Sequence, residues 1–171
     1  PTALAAPKDT KGAEIRLQPG NYGSLRWNYK HYPLGRVILR AATDTAPVFT
    51  ELRLSGSSNM AVIGIRVVAS VSPAVSLGHD MIFAGNFVSG ATATITDPWD
   101  DGNSGLHIRS SNRVTVSNNL FENLRSATYV QRSSAVTYEY NTIRYVREGV
   151  NVAATSDLDL MLVYEPENDG S

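Results

Sequence analysis

A spacing of 22 residues recurs along the second half of this chain, and it leaves few folds open. The segment Gly105-Leu106-His107-Ile108-Arg109-Ser110-Ser111 returns as Ala127-Thr128-Tyr129-Val130-Gln131-Arg132-Ser133. It returns again as Gly149-Val150-Asn151-Val152-Ala153-Ala154-Thr155. The same step carries Val114 to Val136 to Leu158, Val116 to Tyr138 to Leu160, Asn119 to Asn141 and Phe121 to Ile143. A unit this short cannot bury its own apolar side chains, so successive units must stack and share one apolar column. Within each short strand the side chains alternate, which points Leu106 and Ile108 inward and His107 outward.

Upstream the repeat is looser. Leu52-Arg53-Leu54 and Val75-Ser76-Leu77 are equivalent strands, Met60 and Val62 match Met81 and Phe83, and Val67 matches Val88. Asn86 and Asn119 are 33 residues apart, one period plus 11, which places an inserted loop at residues 91–103. Asn86, Asn119 and Asn141 share one turn position, where an asparagine takes left-handed geometry and bonds to the asparagine one coil away. Ile65 and Val163 fill that position in the outer coils. The fold expected is all-β, a right-handed parallel β-helix of about five to six coils forming a single domain over residues 1–171. Residues 1–12 read as the remnant of an N-terminal cap and 161–171 as a polar tail. The repeat breaks across residues 21–47, so strands there have no predicted position.

Composition narrows the partners. The formal net charge is −1 and no run of Lys or Arg exists, so neither nucleic acid nor an anionic membrane surface is the expected partner. No apolar stretch approaches the roughly 20 residues of a membrane span. Cysteine is absent, which excludes disulfides, thiolate metal sites and Cys nucleophiles. No G-x-S-x-G, Walker or dinucleotide fingerprint appears, and no His pair has metal-ligand spacing.

Two stretches carry a resemblance. Ala13-Glu14-Ile15-Arg16-Leu17-Gln18-Pro19-Gly20-Asn21-Tyr22-Gly23 looks like the entry coil of secreted bacterial β-helix proteins of the pectate-lyase-like superfamily. Leu54-Ser55-Gly56-Ser57-Ser58-Asn59-Met60, followed by Ile63-Gly64-Ile65, is similar to that group's next coil. The resemblance implies a secreted or cell-surface bacterial protein. It leaves the activity open among lyases, hydrolases, epimerases, tailspikes and adhesive stalks. It also implies that the face carrying the first strand of each coil, with the loops before it, forms a substrate groove.

The outward column on those strands reads Arg53, Ser76, His107, Tyr129, Asn151, with Arg109 and Gln131 flanking it. Adjacent members stand about 4.8 Å apart. This set suits β-elimination on an acidic polysaccharide, in which a proton α to a carboxylate is removed while that carboxylate is neutralised. His107 or Tyr129 would serve as base and acid, Arg109 or Arg53 as neutraliser, and Asn151 as an assisting group. Arg53, Ser76, Gln131, Asn151 and Trp99 would bind substrate. The rival reading is a non-catalytic polysaccharide-binding or structural β-helix, with Trp99, Tyr129 and His107 as stacking platforms. A glycosidase would need two acids about 5–10 Å apart, and the column carries none; Glu122 and Glu148 read as belonging to other faces or turns. Asp97, Asp100 and Asp101 gather hard oxygen ligands of the kind Ca²⁺ takes, and the resemblance implies calcium as a neutraliser of substrate carboxylate. The decaying pattern at the C-terminal coil implies end-to-end self-association. Elsewhere, Trp27, Tyr29, His31 and Tyr32 read as sealing one end of the core, His79 as a solvated turn residue, and Tyr138 as an inward packing residue.

Overall fold

A computed structural model of the chain describes residues 4–8, 11–90 and 103–163. In chain order the strands are β1 (Ala13–Leu17), β2 (Asn21–Arg26), β3 (Val37–Ala41), β4 (Val48–Arg53), β5 (Ser58–Ile63), β6 (Arg66–Ala69) and β7 (Val75–Leu77). They continue as β8 (His79–Ala84), β9 (Phe87–Gly90), β10 (Ser104–Arg109), β11 (Asn112–Ser117), β12 (Leu120–Gln131), β13 (Ser134–Ala153) and β14 (Ser156–Val163). All belong to one 14-stranded sheet wound into a solenoid of about six coils, every described pairing parallel. The 22-residue step is the pairing register itself: Leu106 faces Thr128, Thr128 faces Val150, and Val114 faces Val136.

Three faces result. One joins the second half of β4 to β7, β10 and the closing segments of β12 and β13. A second runs through β1, β3, β5, β8, β11, the start of β13 and β14. The third takes the first half of β4, then β6, β9, the start of β12 and the middle of β13. β2 and β3 settle the strands of residues 21–47, pairing with β4 and β5. The 33-residue interval is accommodated between Gly90 and Asn103, since β9 and β12 still pair with Val88 opposite Phe121.

The inward residues form one continuous core. Leu52, Val75, Leu106, Ile108, Val130 and Phe121 have no exposed surface, and each buried side chain of this size contributes about 1.5–3 kcal/mol. Tyr138 is inward as its position predicts. It stacks on Phe121 with ring centroids 6.2 Å apart and shares a 3.2 Å hydrogen bond with the Thr128 hydroxyl. Burial holds its phenol above the ordinary range.

The asparagine ladder is present, with one correction to its geometry. The left-handed residue is the one before each ladder position: Gly64 (φ 68°), Gly85 (φ 63°), Asn118 (φ 55°) and Tyr140 (φ 54°). Each ladder amide then reaches along the solenoid. Asn86 Nδ2 donates to Asn119 Oδ1 at 3.0 Å, and Asn119 Nδ2 to Asn141 Oδ1 at 2.8 Å. The backbone N–H groups of Ile65, Asn86 and Asn119 donate to the oxygen one coil on. The ladder amides also donate to the Val62, Phe83 and Val116 carbonyls. A second ladder that the sequence reading passed over runs through Ser111, Ser133 and Thr155 at another corner, where the hydroxyls cap the Leu77, Ile108 and Val130 carbonyls.

The ends differ from expectation. A register shift after Tyr138 brings Leu162, not Val163, opposite Asn141, and β14 continues to Val163, two residues past the predicted start of the tail. Of the four aromatics assigned to sealing, Trp27 and Tyr32 are buried while Tyr29 and His31 are exposed. Trp27 Nε1 donates to the Leu4 carbonyl at 2.9 Å, and Leu4 and Ala6 pack on the core. His79 lies half-buried in β8 rather than in a solvated turn; the left-handed position falls on Asp80, whose carboxylate accepts from Arg113.

Candidate functional site

The outward column forms because each coil delivers an outward residue at the same point of one parallel face. Arg53 faces Ser76, Ser76 faces His107, His107 faces Tyr129 and Tyr129 faces Asn151. Arg109 faces Gln131 two residues further along the same strands. The column also reaches one coil beyond its predicted start, to Arg26 beside Arg53. Ser76 is nearly covered, at 8 % exposure, so the open part of the column begins at His107. Trp99, Asp97, Asp100 and Asp101 lie outside the described residues. Among the described residues no three His, Asp or Glu side chains gather as a metal would require.

The open part is a groove of about 250 Å³. His107, Tyr129 and Asn151 form one side, and Ser104, Ser126, Glu148 and Arg125 the other. Between the two rows stand Gly105, Ala127 and Gly149, which bring at most one methyl each, so little side-chain volume separates them. Glu148 is a correction: it faces Ser126, which faces Ser104, and it lines this groove rather than another face. The 22-residue step from Ser104 to Ser126 to Glu148 was available in the sequence. Asn151 Nδ2 donates to Glu148 Oε2 at 2.8 Å and to Ser126 Oγ at 3.2 Å, which fixes the amide on the groove wall.

At the N-terminal end of the face lies Glu51, only 1 % exposed, two residues before Arg53 on the same outward side. Its carboxylate accepts from Arg53 Nε and, at 2.9 Å, from Arg26 Nε. Burial raises this carboxyl, but the hydrogen bonds from Arg53 and then Arg26 outweigh it and hold the group below the ordinary carboxylate range. Two guanidiniums on one carboxylate leave a surplus positive charge at this end.

The rings of His107 and Tyr129 lie 5.4 Å apart, tilted at 52°. Half-burial pushes the His107 imidazole below its ordinary value, and the positive charges of Arg109 and Arg53 push it the same way. The neutral ring therefore persists below the pH at which a free histidine protonates, leaving a nitrogen lone pair for proton abstraction. An NMR titration of this ring should give a midpoint below 6.5, and Arg109→Gln should move it upward. Linkage fixes the sign for stability. The unfolded chain binds more protons between the folded midpoint and 6.5, so stability falls as pH drops through that window. A wild-type midpoint above 6.5 would contradict this environment.

A family model described as a right handed beta helix region matches residues 50–161, and the chain belongs to that family. No curated protein and no solved structure matches the chain.

Proposed function

We propose that this chain is a secreted carbohydrate-active β-helix module of pectate-lyase-like type that binds an acidic polysaccharide and cleaves it by β-elimination at a uronate unit. The observation that carries the reading is the contact of His107 with Tyr129 in a groove edged by Arg109. The neutral His107 imidazole takes the proton from the carbon α to the uronate carboxylate. The released electron pair forms the ring C=C bond as the bond to the leaving glycosidic oxygen breaks, and the Tyr129 hydroxyl gives that oxygen its proton. Arg109 stands where it neutralises the uronate carboxylate as charge spreads onto it. Arg53 is committed to Glu51, which leaves it the weaker candidate for that role. The calcium candidates lie outside the described residues, and no step here is routed through a metal.

The ring pair also favours a second reading, a binder without turnover, because tilted aromatic surfaces suit sugar stacking. The experiment that separates the two follows ultraviolet absorbance during incubation with a panel of uronate polymers, with calcium and with chelator. Elimination creates an unsaturated sugar, so a rise in absorbance supports the lyase, and loss of the rise with chelator adds the metal. A flat trace on every polymer removes the lyase reading. Gly149→Leu supplies the control. Gly149 lies between Glu148 and Asn151, a Cβ there meets no atom within 4 Å, and its φ is outside the left-handed region. The leucine should fit the fold, fill the groove and weaken saccharide binding by about tenfold or more, roughly 1.4 kcal/mol. The melting temperature should stay within a few degrees of wild type. Undiminished binding by this variant would place the saccharide elsewhere.

A further inference from the structure

The groove is electrically lopsided along the solenoid axis. Its N-terminal end holds Arg26 and Arg53 sharing Glu51, then Arg109 beside His107. The middle coil presents Tyr129 and Gln131, and the C-terminal coil presents Asn151 and the Glu148 carboxylate. Arg125 lines the same wall, but among the described ion pairs none joins it to Glu148, whose Oε2 is instead engaged by the Asn151 amide. His107 and Asn151 are two coils apart, about 10 Å along the axis, a span that two linked sugar rings cover. A continuous polyuronate lying there would set one carboxylate near Arg109 and the next against Glu148. Like charges at that distance in a half-buried groove repel, and such juxtaposition is how binding sites reject wrong partners. A neutral ring at the same place meets hydrogen-bonding groups instead: the Glu148 oxygens, Ser126 Oγ and the fixed Asn151 amide.

Resting on the acidic-polysaccharide reading above, we infer that Glu148, with Asn151, makes the groove selective for a polymer in which a uronate alternates with an uncharged sugar. The uronate sits at the His107 coil and the uncharged ring at the Asn151 coil. Glu148 acts by excluding the second carboxylate, so its effect is on the choice of polymer. The rest of the groove supplies the attraction.

Binding is the readout, so a chain that cleaves nothing still tests the idea. Affinity electrophoresis would compare two homopolyuronates, polygalacturonate and polymannuronate, with two alternating polymers, the rhamnogalacturonan backbone and hyaluronan. At least one alternating polymer should bind wild type about tenfold more tightly than either homopolymer, and Glu148→Gln should shrink that ratio at least fivefold. Circular dichroism of the variant should match wild type. Homopolyuronates binding as tightly as the alternating polymers, or a ratio unmoved by Glu148→Gln, would overturn the selectivity while leaving the polysaccharide reading in place. Failure of all four polymers to bind wild type would overturn both.

Discussion

Replacing Asn119 with alanine should lower the unfolding free energy by roughly 4 kcal/mol, read as a fall in the urea midpoint. The side chain is 2 % exposed and serves two neighbouring coils at once. Its oxygen accepts from the Asn86 backbone N–H at 2.9 Å and from Asn86 Nδ2, while its nitrogen donates to the Phe83 carbonyl and to Asn141 Oδ1. Alanine takes these bonds away where no water enters, and each buried polar group left without a partner costs about 1–3 kcal/mol. The adjacent position gives the contrast. Asn118 is exposed and left-handed, so Asn118→Gly should change stability by only a few tenths of a kcal/mol. A loss below about 1 kcal/mol for Asn119→Ala would mean that the ladder is not what holds this corner.

Replacing His107 with alanine should lower turnover on any polymer the chain cleaves by about 10²–10⁴-fold, the usual worth of a positioned general base. The imidazole points outward and is half-buried, so its loss opens no core cavity, and the variant should melt close to wild type. Tyr129→Phe keeps the ring and its contact but removes the proton donor. It should reduce turnover while leaving saccharide binding nearly intact, which separates the chemical role from the stacking role. Acidification supplies an independent check. Activity should persist below the pH at which a free histidine protonates, because burial and the neighbouring arginines favour the neutral ring. Turnover unchanged in His107→Ala would remove this residue from the chemistry.

The column from Arg53 to Asn151 was legible because the chain's period equals the pairing register. Counting in steps of 22 is the same operation as moving one strand across the sheet. Arg26 was invisible to that count. It pairs with Arg53 across 27 residues and two register shifts, so no fixed period reaches it. Glu148 stood at a countable position. The step from Ser126 exchanges a hydroxyl for a carboxylate, and residue likeness, which guided the alignment elsewhere, fails there. The ladder was found by type and misjudged in backbone conformation for a related reason. The strained residue is the one before the asparagine, and its occupants, Gly64, Gly85, Asn118 and Tyr140, share a φ rather than a chemistry. Glu51 could be seen in the sequence, but its burial beneath two arginines follows from the meeting of two coils.

The ladder also gives the molecule a sense along its length. In a parallel sheet the backbone N–H and C=O groups point both ways across the strands and largely cancel. The asparagines do not cancel. Each of the three turns its oxygen to the coil before, and Asn86 and Asn119 each turn an N–H to the coil after. Their dipoles therefore add, and each bond polarises the next in a dry interior. The order of coils is thereby fixed in polarity as well as in place: a coil inserted upside down would bring oxygen against oxygen.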